Sequence, residues 1–237
     1  MRALDNVITF DFHSHILPGA DHGSDGAQTS RSQLDIVAAS GIKTIVATPH
    51  FYPTADNVKV FFERRNRCAQ VMKSLLRAGD PQVLLGAEVL ICEGIERMDG
   101  LRDLAVFGTD CILLEMPMTR WTDQLFETVD AITGLGLRVV MAHIDRYDPK
   151  YIDELMKLDV LAQLNPGTFT TRKGRKFAKK WLEAGKVAAV GSDLHGADEK
   201  EYKTFIDAGA ALGEYAASVE RAMSELLDGA KSIQSFI

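Results

Sequence analysis

Short apolar runs rich in β-branched residues alternate along this chain with longer amphipathic stretches. The short runs read as strands over 7–13, 42–48, 83–88, 111–116, 138–143, 160–165 and 187–193. The stretches between them carry helical spacing over 31–39, 58–77, 122–135, 149–158 and 174–184, and a terminal helix is predicted over 200–227. Gly41, Gly79, Gly136 and Gly185 sit where helix gives way to strand. Repeated strand–helix alternation implies parallel strands joined by right-handed crossovers. Seven such strands suggest a closed or distorted (β/α)7 barrel of the α/β class rather than a short open sheet. No repeat, low-complexity tract or linker divides the chain, so a single domain over 1–237 is expected.

The polar exceptions to this pattern cluster at strand ends. The chain has six histidines: His13, His15, His22, His50, His143 and His195. Each falls at or just after the C-terminal end of a predicted strand, the face on which α/β barrels assemble active sites. Glu88, Glu115 and Asp193 fall at equivalent places. Alternation along the first strand puts Asp11, His13 and His15 on one face and Ile8, Phe10 and Phe12 on the other. Two imidazoles at i and i+2 can grip one cation. Taken alone, His13-Ser-His15 also reads as a solvated strand end. A glutamate closing an apolar strand is costly unless paired or metal-bound, which gives Glu88 and Glu115 a functional reading. His143-Ile-Asp-Arg146 places an imidazole and a guanidinium in one short loop, and Asp193-Leu-His195 repeats the i, i+2 spacing.

Composition narrows the picture further. The apolar and charged fractions are ordinary for a globular chain, and a net charge of −6 argues against nucleic acid as a partner. No apolar run is long enough to span a bilayer, and no secretory signal is visible at the start, so a cytoplasmic location is expected. Cys68, Cys92 and Cys111 lie far apart and read as reduced thiols. A cysteine-based phosphatase needs Cys, five residues, then Arg; the residues at that distance here are Ser74, Met98 and Pro117.

Mixed histidine and carboxylate ligands suit manganese, iron or zinc, with cobalt a further candidate, and the absence of a cysteine cluster disfavours structural zinc. The donor set exceeds the needs of one ion, so two or three divalent metal ions are implied. A carboxylate such as Glu88 can bridge two of them. Ions roughly 3.5–4 Å apart hold an attacking hydroxide and clamp both ends of an in-line displacement, which suits phosphate ester hydrolysis.

The motifs Asp11-Phe-His-Ser-His-Ile-Leu-Pro-Gly-Ala-Asp-His-Gly23, Ala47-Thr-Pro-His50, Gly86-Ala-Glu88, Leu114-Glu-Met-Pro117, Ala142-His-Ile-Asp-Arg146 and Gly191-Ser-Asp-Leu-His195 resemble those of the PHP superfamily. More narrowly, they are similar to the bacterial tyrosine phosphatases of capsule and exopolysaccharide operons, the CpsB/CapC/YwqE type. The resemblance implies a distorted TIM-like barrel and a manganese-type protein-tyrosine phosphatase. Its substrate would be a phosphotyrosine protein, expected to be a bacterial tyrosine kinase. The resemblance assigns His13, His15, Glu88 and Asp193 to a first ion. Glu88 as bridge, Glu115 and His143 fall to a second, and His22, His50 and His195 to a third. It makes Arg146, Asp193 and His195 catalytic, with Arg146 binding phosphoryl oxygens.

Two departures from the family pattern stand out. His22 occupies the place of a ligating aspartate, with Asp21 beside it as the alternative ligand. Where the family tends to place an arginine after its Ser-Asp-x-His motif, this chain offers Lys200 and Lys203, so Lys200 is a candidate substrate-binding residue. The basic run from Thr170 to Lys180 reads as a solvated helix face or, less simply, as a rim for an anionic peptide. Phe51-Tyr52-Pro53 is a candidate aromatic lining of the mouth.

Three other readings share parts of the pattern. An amidohydrolase or TatD-like hydrolase also opens with His-x-His but often adds a bridging lysine at a strand end. A PHP phosphatase of histidinol phosphate or a nucleotide would keep all the motifs. A non-catalytic PHP module should have lost ligands.

Overall fold

The computed structural model describes residues 8–235. Among the described residues, nine parallel-paired strands form two sheets, one in the order β1-β2-β4 and one in the order β3-β5-β6-β7-β8-β9. The strands are β1 (Phe10–Ser14), β2 (Thr44–Ala47), β3 (His50–Phe51), β4 (Gln82–Leu85), β5 (Glu88–Leu90), β6 (Cys111–Glu115), β7 (Arg138–Met141), β8 (Leu161–Leu164) and β9 (Val187–Val190). The helices are α1 (Ala27–Ala39), α2 (Val58–Leu75), α3 (Asp123–Gly134), α4 (Pro149–Leu155), α5 (Arg172–Glu183), α6 (Glu199–Leu212) and α7 (Ala216–Leu226). The predicted start of the first strand at Val7 lies outside the described residues.

Two strands are kinked. The predicted run over 42–48 is β2, and its strand resumes beyond that run as β3; the run over 83–88 is interrupted and becomes β4 and β5. Pro49 is the cause: it has no N–H to donate and restricts the residue before it. The register survives the break, because Ala47 faces Leu85 before it and His50 faces Glu88 after it. The backbone N–H groups of Gly86 and Glu88 donate to Ala47 O and Pro49 O across the kink, at 2.8 and 3.2 Å. With β2/β3 and β4/β5 each taken as one kinked strand, seven strands remain, as the alternation predicted.

The seven close on themselves between β9 and β1. A parallel bridge joins Ser14 to Leu194, and the N–H of Asp193 donates to His13 O at 2.7 Å. Buried apolar side chains from every strand form one continuous core, among them Phe12, Ile45, Leu85, Leu113, Val140, Leu164 and Val190. The helices cover the outside; α7 packs on β9 and β1, behind the seam. Several helix starts follow their side-chain caps. Thr171 accepts from the N–H of Gly174 at 3.0 Å, so α5 begins two residues earlier than its apolar spacing indicates. The predicted terminal helix is two helices, because Gly213 takes a φ of 55° that ends α6 before α7 begins.

Candidate metal centre

The barrel mouth gathers the predicted ligands. His13 lies on β1 and His15 just after it; His50 opens β3, Glu88 opens β5 and Glu115 ends β6. His143 follows β7, and Asp193 and His195 follow β9. His13, His15, His50, Glu88, His143 and Asp193 are all buried. Glu88 is the focus. Its Oε2 lies 3.3 Å from His13 Nε2, 3.2 Å from His15 Nε2 and 2.9 Å from His50 Nδ1. Its Oε1 lies 2.8 Å from His143 Nε2. Asp193 Oδ1 is 3.5 Å from His13 Nε2, 3.2 Å from His15 Nε2 and 3.5 Å from His195 Nδ1.

Local backbone geometry makes this convergence possible. His143 and Asp193 are the described non-glycine residues with positive φ, at 30° and 53°. Such conformations are costly and collect at functional sites. Gly191 lets the end of β9 come up against β1, since a Cβ there would lie 2.4 Å from His13 Cβ. Gly23 does the same for the loop after β1, where a Cβ would fall 2.1 Å from His15 Cβ.

The hydrogen bonds at the outer nitrogens set the histidine tautomers. His15 Nδ1 meets the carboxylate of Asp21 at 2.7 Å, and His13 Nδ1 meets the amide oxygen of Gln163 at 3.2 Å. His195 Nδ1 meets the carbonyl of Asp193 at 2.8 Å. All three partners accept, so each Nδ1 carries the proton and each Nε2 carries a lone pair. His13 Nε2 and His15 Nε2 then face each other at 3.2 Å with no hydrogen to share. Glu88 Oε2, His50 Nδ1 and His195 Nε2 are buried without a hydrogen-bond partner. Converging lone pairs and carboxylates of this kind fit divalent cations. The electrostatics agree. Burial lowers the pKa of His13, but Glu88 and Asp193 outweigh it and the net shift is upward, so positive charge is favoured there. Burial, then the neighbouring charge of Glu88, raises the pKa of Glu115, a repulsion that a cation between the two carboxylates relieves.

Donor atoms fall into three sets whose members lie within 4.8 Å of one another. These are His13, His15, Glu88 and Asp193; His50, Glu88 and Glu115; and His15, His50 and His195. The first matches the expected set. In the second, His50 stands where His143 was expected, with His143 Nε2 3.7 Å from Glu115. In the third, His15 stands where His22 was expected. The exposed His22 ring stacks over His50 at 4.8 Å and lies 4.8 Å from His195. Asp21 is committed elsewhere: besides His15 it accepts from the N–H groups of His50 and Gly23, at 3.0 and 2.9 Å.

The remaining candidates separate clearly. Arg146 pairs with Asp193 Oδ2 at the edge of the cluster, and its side chain is 43% exposed. Lys200 is exposed in the first turn of α6, where its N–H donates to Asp198 at 2.8 Å. The basic residues Arg172, Lys173, Arg175, Lys176, Lys179 and Lys180 form an exposed face of α5. Phe51 is core, packed edge-on against Phe61, whereas Tyr52 stacks on His50 at 5.1 Å. Burial pushes the Cys111 thiol up to about 12, so it is inert as a nucleophile. Three residues that sequence spacing did not single out touch the candidate ligands: Gln163; Asn165, whose Nδ2 approaches Asp193 at 3.5 Å; and Tyr147, whose hydroxyl meets His143 Nδ1 at 3.3 Å; a fourth, Tyr202, holds Asp11.

A parallel α/β barrel with histidines and carboxylates converging at its strand ends defines a metal-binding barrel protein. The chain belongs to the capsular polysaccharide synthesis family CpsB/CapC, whose model matches residues 9–229. It is 28% identical over 211 residues to the tyrosine-protein phosphatase YwqE of Bacillus subtilis, covering 82% of this chain and 80% of that one. It is 27% identical over 210 residues to the tyrosine-protein phosphatase CpsB of Streptococcus pneumoniae, covering 80% and 84%. The barrel superposes with a TM-score of 0.74 on a solved structure from work on YwqE and CpsB, described as unique metal-dependent tyrosine phosphatases. That match covers 94% of this chain and 95% of the other at 21% identity, and it establishes the shared fold.

Proposed function

We propose that this protein is a metal-dependent phosphomonoester hydrolase acting on phosphotyrosine in proteins, with one PHP-type domain over 1–237. The observation that carries the reading is the focus on Glu88, where buried imidazole lone pairs and carboxylates converge from most of the strands. Curated relatives named as tyrosine-protein phosphatases support the choice of reaction.

Counting lone pairs favours one division of the overlapping donor sets. His15 has one free nitrogen, because Asp21 takes the other, so it serves one ion only. Assigned with His13, Glu88 and Asp193 to the first ion, it leaves the third to His50, His195 and His22. With His50 so used, Glu88, Glu115 and His143 would hold a second ion. When bound, such ions supply Lewis acidity toward phosphoryl oxygens and a water made nucleophilic at neutral pH. Arg146 binds the phosphoryl oxygens, where a guanidinium fork suits a charge that grows as the ester bond breaks. Asp193 holds Arg146 at the cluster edge, and His195 carries an unpaired Nε2. Lys200 adds positive charge on the approach from α6. The metal is manganese, with iron, zinc or cobalt as substitutes. The setting is a cytoplasmic capsule or exopolysaccharide system whose tyrosine kinase is the substrate. No helix among the described residues is long and apolar enough to cross a membrane.

The test is a metal-stripped preparation reconstituted with manganese, cobalt or iron and offered phosphotyrosine peptide, phosphoserine peptide and histidinol phosphate. The expected result is no turnover after stripping, recovery with metal, and the highest kcat/KM on phosphotyrosine. Full activity of stripped protein overturns the metal reading. Preference for histidinol phosphate overturns the substrate.

A further inference from the structure

We infer that Gln163, on β8, is the positioning residue that fixes the tautomer and aim of His13 and ties it to the ligands on two other strands. This rests on the reading of the mouth as a metal centre. Gln163 is fully buried. Its Oε1 accepts from the backbone N–H of His143 at 2.7 Å and from His13 Nδ1 at 3.2 Å. Its Nε2 donates to Asn165 Oδ1 at 2.8 Å and to the carbonyl of Gly191 at 3.3 Å. One amide thus touches the ends of β1, β7 and β9, the strands that carry or precede His13, His143 and Asp193.

The orientation of that amide is forced. A backbone N–H can only donate and a backbone carbonyl can only accept. The N–H of His143 therefore selects the oxygen end, and the carbonyl of Gly191 selects the nitrogen end. A flipped amide makes two buried mismatches at once. With the oxygen facing His13, the proton sits on Nδ1 and the lone pair on Nε2 points toward Glu88 and Asp193. Gly191 is also the residue whose missing side chain lets β9 approach His13. Holding its carbonyl keeps that close approach in register, and Asn165 extends the chain of contacts to Asp193 Oδ2. A glutamate in place of Gln163 would still accept from His13 and His143. Its second oxygen would meet the acceptors Gly191 O and Asn165 Oδ1, so it separates the ligand-aiming function from the strand-tying one.

The experiment compares wild type, Gln163→Met and Gln163→Glu after metal stripping, each titrated with Co2+. The readouts are the dissociation constant and the visible spectrum, which reports ligand geometry without any turnover. Folding is checked by circular dichroism and thermal melting. Loss of a ligand-orienting partner of this kind typically weakens metal affinity by about 10–100-fold. Gln163→Met is expected to show that loss with an altered spectrum. Gln163→Glu is expected to stay within a few-fold of wild-type affinity while melting at a lower temperature. Folded Gln163→Met with wild-type affinity and spectrum overturns the inference, even if it melts lower, since the role would then be structural. If Gln163→Met does not fold, a tenfold or greater loss in Gln163→Glu overturns it instead. Wild-type protein that takes up no Co2+ overturns both this inference and the metal reading beneath it.

Discussion

A buried carboxylate sits at the seam between β1 and β9, and one of its hydrogen bonds, from α6, can be removed with a single atom. Asp11 is fully buried, and its Oδ1 accepts from the N–H of Ser192 at 2.8 Å. Its Oδ2 accepts from the hydroxyl of Tyr202 on α6, also at 2.8 Å. We predict that Tyr202→Phe destabilises the protein by about 2 kcal/mol. The ring keeps its packing, stacked on Phe205 with centroids 5.4 Å apart, so no large cavity opens. What is lost is a hydrogen bond to a carboxylate with no water to replace it, for which about 1.5–3 kcal/mol is usual. For a domain of this size, that corresponds to a melting temperature lower by about 4–8 °C. The assay is urea and thermal unfolding of metal-stripped protein, so that bound ions do not mask the change. The same substitution is repeated in an Asp11→Asn background. If the bond acts as described, Tyr202→Phe costs less than about 1 kcal/mol there, because the charged acceptor has gone. A Tyr202→Phe variant within about 0.5 kcal/mol of wild type would refute the reasoning, as would equal costs in the two backgrounds.

Three further outcomes are expected. Arg146→Ala should lower kcat/KM while metal analysis still finds the full complement of ions, since a guanidinium is no cation ligand; unchanged kinetics would remove Arg146 from the site. His22→Ala should lose about one ion in three, whereas Asp21→Asn should keep the number of ions at saturating metal but bind them more weakly, because Asp21 aims His15 and holds the backbone of His50 and Gly23 rather than taking an ion; the reverse pattern exchanges their roles. Arg31 forms a two-pronged pair with Asp80 at 2.5 and 2.7 Å, and the Arg31 hydrogen bonds hold the Asp80 carboxyl below its ordinary range. Its contribution, about 1 kcal/mol after screening, is therefore present above about pH 4 and lost as pH falls through the lower folded value. Asp80→Asn should cost that much at pH 7 and almost nothing near pH 2, and a cost that grows on acidification would refute the assignment.

The sequence by itself determined the barrel and brought most of the candidate ligands to one end of it. Strand side chains alternate and parallel barrels present their strand ends on one face, so His13, His15, Glu88, Glu115, His143 and Asp193 could be placed without coordinates. Gly191 and Gly23 were visible in the motifs, but the sequence could not show that a side chain there would collide with His13 or His15. Pro49 ends the predicted run over 42–48 in sequence, and only the paired register of His50 with Glu88 shows that the strands continue past it. What tertiary structure alone decided is the support around the ligands. Gln163 reaches His13 across 150 positions of sequence, and Tyr202 reaches Asp11 across 191. Such partners carry no periodic or spacing signal, because a hydrogen bond between distant segments constrains only the two atoms that meet. The same holds for Asp21: a carboxylate beside a histidine reads as a rival ligand in sequence. Only the 2.7 Å bond to His15 Nδ1 turns it into the group that points a ligand inward.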